Sequence, residues 1–411
     1  DQMEAAPERV LPAIEESILQ QLVRIERLQL QACLYDTTNF YTYIATSNQR
    51  SRLAARGHNK QRRHDLRQFG LALVLDRDSR LPLFHQLYQG ARSDVGTLGE
   101  LIAPIRRRLK KLHGRPEQLT LIFDAGANSQ QNLKELKHHF VVALRPSDHK
   151  RWIESIADRL QEVSLSDRSA VRACRQRRQV LGARREVVAC FSPKLYQGQL
   201  RGLEQRLLQI GKQLEKIGTW SRYRPETVQK RLDKLFDRQY VRRLYDYSLE
   251  KDPRGGTRIR VWMDLQEHRR LTSAYFGFRV LATDRRDWST AQIIEAYRSQ
   301  SRAEAAFRDL KDPAMISTRP QFHWTDQKLR VHAFVCVMAY LLVRLLWWRL
   351  RQRTDISASP RSILARLKKI RMARIVEMTG KAGRPRLRYQ LEEMDAELRQ
   401  LAELAGALPE K

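Results

Sequence analysis

A short apolar run near residue 120 constrains the fold of this chain more than any other segment. Residues 119–126, LTLIFDAG, are apolar or uncharged without alternation until Asp124. Such a run is typical of a strand that is buried on both faces, as in sheets covered by helices on either side. Because sites in open α/β sheets collect at the carboxyl ends of the strands, Asp124 is a candidate site residue. The run therefore predicts an α/β protein.

A second acidic residue interrupts an earlier strand pattern. Residues 31–44, QACLYDTTNFYTYI, are rich in β-forming residues, and their alternation places Leu34, Asp36 and Phe40 on one face. An acid between large apolar side chains breaks the local pattern, and such exceptions are expected at functional sites. Asp36 is therefore a second candidate site residue.

The order of the predicted elements gives the fold class. The chain begins with a helix over 5–30, the strand of Asp36, two strands over 69–76 and 81–89 joined by a turn at 77–80, a helix over 95–113, the apolar strand, a helix over 129–138 and a strand over 139–146. This is the order of a ribonuclease-H-like domain, a mixed sheet flanked by helices in which the first and fourth strands are neighbours. We therefore expect Asp36 and Asp124 to approach each other.

A third candidate acid, Glu304, lies in residues 288–311, WSTAQIIEAYRSQSRAEAAFRDLK, on a helix face that is predicted to be apolar. A capping-box opening followed by a stretch without Gly or Pro predicts one helix of about six turns. The helical period then places Glu304 on the same face as Ile293, Tyr297 and Lys311. An inward carboxylate must be paired or bind a cation, because its burial is otherwise costly. An ion pair with Arg308 or Lys311 is one interpretation; a cation shared with Asp36 and Asp124 is the other.

The spacing in this helix resembles a known signature. Tyr297, Gln300, Glu304 and Lys311 follow the Y-x2-R-x3-E-x6-K signature of bacterial insertion-sequence DDE transposases of the IS-four type, with Gln300 where the family has Arg. Three further blocks match in the expected order, so the likeness runs over residues 31–350: LYDTTNFY at 34–41, LTLIFDAGANS at 119–129 and RPQFHWTDQKLRVHAF at 319–334.

The resemblance implies a catalytic triad of Asp36, Asp124 and Glu304. Two divalent ions about 3.5–4 Å apart activate the attacking oxygen and stabilise the leaving oxygen in phosphodiester cleavage. Hard carboxylate ligands suit two Mg²⁺ or Mn²⁺ ions. Asp36 is expected to bridge both ions, and Asp124 and Glu304 each to hold one.

The same resemblance implies contacts with the DNA. Tyr297 and Lys311 are expected to face the phosphates beside the cleaved bond. Gln300 can donate a hydrogen bond to a phosphate but supplies no charge, which Arg308 or another nearby arginine would provide. The family also uses a Trp that stacks on a flipped base. Trp220 and Trp262 are the candidates, and either could instead belong to the core.

The charge of the chain supports a polyanionic partner. With 77 Lys and Arg against 46 Asp and Glu in 411 residues, the formal charge is +31. Lys and Arg that neutralise phosphates release condensed counterions, so we expect salt-dependent binding. The charge alone does not distinguish DNA, RNA and an anionic membrane. The apolar run 331–350 could span a bilayer by length, but its internal His and Arg and basic flank favour a buried core helix.

The domain organisation follows from these segments. We predict an N-terminal helical segment (1–30), the first part of the catalytic domain (31–150), an insertion domain (151–287), the last part of the catalytic domain with the glutamate helix (288–350) and a basic helical tail (351–411). Within the insertion, the Arg-rich stretch 152–217 is expected to be helical. The four scattered cysteines are typical of reduced core residues in a cytosolic protein. Because the sequence opens at Asp1, we expect it to be a fragment that lacks an upstream domain.

These features predict a DNA transposase that cleaves transposon ends and joins them to target DNA. Its expected partners are double-stranded transposon ends and target DNA, bound as a homodimer, in a bacterial cytoplasm and associated with the nucleoid, with no membrane. A ribonuclease-H-like nuclease without strand transfer and an inactive DNA-binding relic remain alternatives.

Overall fold

The computed structural model describes residues 7–57, 65–238, 240–253, 255–319, 322–377 and 386–406. The chain divides into two compact units. Unit 1 comprises Asp1–Phe140 and Arg298–Lys411, and unit 2 comprises Val141–Tyr297. The predicted insertion domain, residues 151–287, lies within the range of unit 2.

The first half of unit 1 follows the predicted order of elements. Its elements are α1 (Pro7–Ile25), β1 (Ala32–Thr42), β2 (Arg67–Asp76), β3 (Pro82–Gln89), α2 (Asp94–His113), β4 (Thr120–Phe123) and α3 (Gln130–Glu135). β1 pairs antiparallel with β2, and β2 pairs antiparallel with β3. β4 pairs with β1 and runs parallel to it. The order β3-β2-β1-β4 confirms the predicted ribonuclease-H-like mixed sheet, with the first and fourth strands as neighbours.

Burial in this sheet follows the sequence pattern. All four residues of β4 are buried, as the continuous apolar run predicted. In β2, Phe69–Asp76 are buried as well, which leaves Asp76 as an acid within the core. The Asp76 carboxylate accepts hydrogen bonds from the Ser79 amide at 2.7 Å and the Ser79 hydroxyl at 2.6 Å. These bonds fix the predicted turn between β2 and β3.

Unit 2 contains more strands than the sequence predicted. Its elements are β5 (His139–Leu144), α4 (Lys150–Ser155), β6 (Gln161–Ser164), β7 (Ala170–Val180), β8 (Ala183–Phe191), α5 (Pro193–Ile217), β9 (Trp220–Ser221), α6 (Pro225–Phe236), β10 (Tyr245–Lys251), β11 (Thr257–Met263), α7 (Leu265–Ala274), β12 (Phe278–Thr283) and α8 (Thr290–Arg298). The strands form one sheet in the order β5-β12-β8-β7-β6 and a second in the order β10-β11-β9. Only the part from Pro193 to Ile217 of the stretch 152–217 is a long helix, so the helical prediction was wrong for most of it.

A two-residue turn explains this error. β7 and β8 form a hairpin in which Val180 pairs with Ala183 across Leu181 and Gly182. Leu181 and Gly182 have φ angles of 49° and 79°, and positive φ at both central residues gives the twist that tight hairpins need. The high helix propensity of the many arginines concealed a strand pattern, because cross-strand pairing overrides local propensity.

The final segment returns to unit 1. Its elements are α9 (Ser301–Lys311), α10 (Asp326–Arg353), α11 (Pro360–Leu367), β13 (Met372–Glu377), β14 (Arg386–Leu391) and α12 (Ala396–Leu404). The prediction of one helix over 288–311 was wrong, because α8 and α9 are separated at Ser299 and Gln300. There the Ser301 hydroxyl donates to the Arg298 carbonyl at 2.9 Å and competes with the helical hydrogen bond.

The long helix α10 was predicted, but the tail after it is only partly helical. By length and composition α10 could cross a membrane, and half of its most apolar stretch is buried inside the protein. Its Arg344 is 2% exposed and pairs with Asp309 at 2.8 Å. In the tail, β13 and β14 pair antiparallel, and the β-branched residues Ile375 and Val376 favour a strand there.

Candidate active site

Two of the three predicted acids follow the paired part of two neighbouring parallel strands. The paired residues are Ala32 with Thr120, Cys33 with Leu121 and Leu34 with Ile122. Asp36 and Asp124 each lie two residues beyond the last of these pairs, Asp36 within β1 and Asp124 directly after β4. The backbone of Asp124 is extended, with φ −84° and ψ 166°. The two acids therefore lie at the same end of two neighbouring strands, and the approach of their carboxylates stays a prediction.

Both aspartates are held by their own backbone. The Asp36 carboxylate accepts a 2.8 Å hydrogen bond from the amide of Thr37. The Asp124 carboxylate accepts a 2.7 Å bond from the amide of Ala125 and caps the single turn that follows β4. Asp124 is exposed and Asp36 is half-buried, so each carboxylate has a surface that a ligand can reach.

Helix α9 contacts β1 on both sides of Asp36. The Gln300 side chain, just before the helix, donates from Nε2 to the Tyr35 carbonyl at 2.8 Å. At the other end, the Lys311 ammonium donates to the Thr38 hydroxyl at 2.5 Å and lies 5.0 Å from the centre of the Phe40 ring. Thr38 and Phe40 share their strand face with Asp36. Lys311 thus contacts β1 two and four residues after Asp36, while its contact with a phosphate stays a prediction.

Glu304 lies on the helix face that makes these two contacts. At about 100° per residue, Glu304 is about 40° from Gln300 and about 20° from Lys311 around the axis. The prediction that this face is apolar was wrong: Glu304 is exposed, and the buried face consists of Ala303, Ala306, Phe307 and Leu310. The small residues at 303 and 306 let the buried face of α9 pack closely against the core. Because Glu304 lies outside that face, its carboxylate is exposed and needs no partner inside the core.

Three carboxylates in this region could hold a divalent cation. Asp36 and Asp124 supply hard oxygen ligands at the same end of two neighbouring strands, and Glu304 lies on the helix face that contacts β1 on both sides of Asp36. Across the described parts of the chain, no three His, Cys, Asp or Glu side chains already converge on a common point. The alternative, a pair between Glu304 and Arg308 or Lys311, also remains open, because Arg308 is exposed one turn along the same helix.

Gln300 lies in a different environment from the one expected, whereas the contact predicted for Tyr297 stays a prediction. Gln300 is 8% exposed, and its amide donates to the backbone of β1. Its predicted contact with a phosphate does not fit this burial, and the side chain instead anchors the start of α9. Tyr297 belongs to unit 2, where its ring lies 5.7 Å from the Arg279 guanidinium.

A further carboxylate that contacts Thr37, the residue directly after Asp36, was missed by sequence reasoning. Asp94, in the first turn of α2, accepts a 2.8 Å hydrogen bond from the Thr37 hydroxyl. Its other oxygen lies 3.3 Å from the position that a Cβ on Gly126 would take. Burial raises the pKa of Tyr88. A hydrogen bond with the Thr37 side chain opposes this shift, and the negative charges of Asp94 and Asp36 add to it. In the sequence, Ser93 is the residue that signals a helix start at Asp94, because its side chain can cap the helix.

Both candidate tryptophans lie at the surface of unit 2. Trp220 is 50% exposed and Trp262 is 49% exposed, so neither is a core residue. Trp220 on β9 pairs with Arg258 on β11. Trp262 lies four residues after Arg258 on the same face of β11. Trp262 lines a cleft of about 580 Å³ together with Arg242 and Arg243. This surface can stack on aromatic bases and attract phosphates.

Comparison with known proteins gives a distant structural likeness. No protein-family model and no curated protein matches the chain. One similar solved structure is a cryo-EM structure of the piggyBac transposase synaptic complex with hairpin DNA. The likeness has a TM-score of 0.39 and 8% sequence identity over 86% of this chain. The chain matches 57% of the length of that transposase chain, and a likeness at this level assigns no residue and no reaction.

Proposed function

We propose that the chain is a DDE transposase that cleaves the DNA ends of a mobile element and joins them to target DNA. The observation that supports this proposal is the parallel pairing of β1 with β4, because Asp36 and Asp124 each follow the last paired residues, Leu34 and Ile122, by two positions. The resemblance of residues 31–350 to insertion-sequence transposases of the IS-four type supports the same reaction. In this assignment Asp36, Asp124 and Glu304 are the catalytic residues.

The donor set fits two Mg²⁺ or Mn²⁺ ions. In this assignment both ions would share Asp36, while Asp124 and Glu304 would each hold one of them. The bound ions would lower the pKa of an attacking water or hydroxyl and stabilise the leaving oxygen of the scissile phosphate. The three carboxylates would fix the positions of the two ions, and the ions would in turn orient the phosphate.

Lys311 and the surrounding arginines would position the DNA backbone. The Lys311 ammonium donates to the hydroxyl of Thr38, which lies two residues after Asp36 on the same face of β1. From this position the ammonium would contact a phosphate as a point charge. Arg308 is exposed on α9 and supplies charge that Gln300 does not. Tyr297 is proposed to contact the same strand when DNA is bound. With a net charge of +31, duplex transposon ends and target DNA are suitable partners, bound by a homodimer.

Plasmid cleavage with a matched variant tests the proposal. Wild-type protein with Mg²⁺ should nick supercoiled DNA that carries the element's ends, and Asp124→Asn should abolish nicking while salt-sensitive DNA binding is unchanged. Precleaved ends with free 3′ hydroxyls and a target plasmid should then yield joined products. Asp355→Asn, an exposed aspartate between α10 and α11, is the control and should cleave at the wild-type rate.

The alternatives give different results in the same assay. A ribonuclease-H-like nuclease would nick but form no joined product. A DNA-binding relic would bind without nicking. Cleavage by Asp124→Asn at the wild-type rate would show that the site is misassigned.

A further inference from the structure

Three large aromatic side chains of unit 1 are exposed together beyond the end of β1. Tyr43 is 53% exposed, Phe322 is 65% exposed and Trp324 is 66% exposed. The rings of Tyr43 and Phe322 stack with centroids 5.9 Å apart and an angle of 20° between their planes. We call Tyr43, Phe322 and Trp324 the aromatic platform. Exposed apolar groups of this kind mark binding surfaces when they are contiguous.

A cation and a further ring extend this surface. The ring of Tyr41, two residues before Tyr43 on the chain, meets the Tyr43 ring edge-on at 6.1 Å. The Arg319 guanidinium lies 5.4 Å from the centre of the Tyr41 ring. The aromatic row therefore ends at a fixed positive charge, as in sites that bind a base and its phosphate together.

The loop beside the platform is built around one half-buried guanidinium. Arg67 donates to the carbonyl of Ala54 at 2.7 Å and to that of Ser51 at 2.7 Å. It also donates to the carbonyls of Asn48 at 2.8 Å and Ala45 at 3.1 Å. Four carbonyls satisfied by one planar group hold residues 45–54 in a single arrangement.

The other side of the platform is attached to the same loop. The Asp326 carboxylate accepts bonds from the Ser51 hydroxyl at 2.6 Å and from the amides of Arg52 and Leu53 at 3.0 Å. The Asn48 side chain donates to the Trp324 carbonyl at 3.2 Å. The aromatic rings are thus exposed on a preorganised support, which lowers the entropy cost of binding.

The charge around the platform selects the kind of ligand. Arg50, Arg52 and Arg56 are exposed on the supporting loop, and Lys328 is exposed in the first turn of α10. A ligand that fits both features carries flat aromatic groups and regularly spaced negative charges. Unpaired DNA has this chemistry, whereas the bases of an intact duplex are already stacked on each other.

We propose that the aromatic platform binds unpaired bases of the DNA strand that is processed at Asp36. This inference rests on the proposed function, because the DNA strand in question is the one cleaved at the proposed active site around Asp36. Tyr43 follows Asp36 by seven residues and lies directly after the end of β1, so the two are at most about 23 Å apart at the rise of a strand. A strand cleaved at Asp36 can therefore extend to the platform, where Tyr43 and Phe322 receive its bases.

Binding of a fluorescent single strand tests this proposal without metal or cleavage. The probe is an oligothymidylate that contains one 2-aminopurine, whose fluorescence is quenched by stacking, and it is titrated with the full chain in EDTA. Tyr43→Ala/Phe322→Ala should bind at least about fivefold more weakly and lose the quenching, since base stacking on an aromatic side chain contributes about 1–3 kcal/mol. Phe322→Trp should retain both, because it keeps a ring at the same place.

The control removes an equally exposed aromatic elsewhere in unit 1. Tyr389→Ala, on β14, is 61% exposed in the wild type and should leave affinity and quenching unchanged. An unchanged single-strand affinity of Tyr43→Ala/Phe322→Ala would overturn the proposal. So would a change in oligomeric state alone, because the platform would then be a contact between copies. Loss of nicking in Asp124→Asn is independent of these readouts.

Discussion

The side-chain amide of Gln300 donates a 2.8 Å hydrogen bond to the carbonyl oxygen of Tyr35, the residue directly before Asp36. This bond joins the start of α9 to the middle of β1, and the Lys311–Thr38 bond joins the end of α9 to the same strand. The helix that carries Glu304 is therefore tied to the strand that carries Asp36 at both ends. Gln300 supports the geometry of the site from inside the core.

Removal of the Gln300 amide should destabilise the protein. Gln300→Ala leaves the buried Tyr35 carbonyl without this donor, so we expect the free energy of unfolding to fall by about 1–3 kcal/mol. Urea denaturation followed by circular dichroism measures the change. Gln131→Ala removes an exposed glutamine on α3 and should change stability by less than about 0.5 kcal/mol. Equal stability of the two variants would refute the anchoring role.

The charge of Lys311 should be visible in the salt dependence of DNA binding. Lys311→Ala removes one phosphate contact, so the slope of log K against log salt should become shallower by about 0.9. Lys311→Arg should keep the wild-type slope. Fluorescence anisotropy with a duplex at several salt concentrations gives these values. Lys134→Ala, an exposed lysine on α3, is the matched control. A slope unaffected by Lys311→Ala would place this ammonium away from the bound phosphates.

The buried carboxyl of Asp76 should make stability depend on pH. Burial raises the pKa of Asp76, although its hydrogen bonds with Ser79 oppose the shift. The folded state then binds its proton more tightly than the unfolded state, so this residue's contribution to stability falls as pH rises from about 4 through the raised pKa. Asp76→Asn removes that dependence and should gain stability relative to wild type across this interval. Denaturation at a series of pH values checks the trend. Asp355→Asn, at an exposed aspartate between α10 and α11, should run parallel to wild type. A parallel curve for Asp76→Asn contradicts the prediction.

The turn between β7 and β8 contains a residue that is poorly suited to its backbone. Leu181 has a φ of 49°, a conformation that Asn adopts more readily than Leu. Leu181→Asn should therefore raise the free energy of unfolding by about 0.5–1 kcal/mol, measured by thermal denaturation. Leu208→Asn, at a leucine that is 68% exposed on α5, should instead lower it slightly because Asn is a weaker helix former. A loss of stability in Leu181→Asn would show that the Leu side chain contributes more than the strain costs.

The sequence predicted the sheet around Asp36 and Asp124 because its signals there are local and agree with one another. The apolar run of β4 and the alternation of β1 each define a strand, and the order of elements defines which strands are neighbours. The parallel pairing of Leu34 with Ile122 confirmed that these two strands are neighbours, while the approach of the two carboxylates stays a prediction. Glu304 was assigned correctly to a helix but incorrectly to its apolar face, since the break at Gln300 changes the phase of the pattern.

Features that depend on distant contacts were not predictable. The hydrogen bond from Gln300 joins residues 265 positions apart, and the bond from Thr37 to Asp94 joins residues 57 apart. No local pattern encodes such pairs. In the Arg-rich stretch, the propensity of single residues indicated helix while long-range pairing formed strands. The exposure of Tyr43 and Phe322 likewise follows from a loop held by Arg67 and Asp326, not from their own neighbours.

The most direct test is the number of Mn²⁺ ions that the protein binds. Electron paramagnetic resonance of free Mn²⁺, in a titration of the full chain with a short DNA duplex, should show two ions per chain. Asp36→Asn should abolish or weaken the binding of both ions at least tenfold, while Asp124→Asn and Glu304→Gln should each weaken one. Asp355→Asn should match wild type. If Asp36→Asn binds the same number of ions with the same affinity as wild type, the three carboxylates do not form a metal site and the account is contradicted.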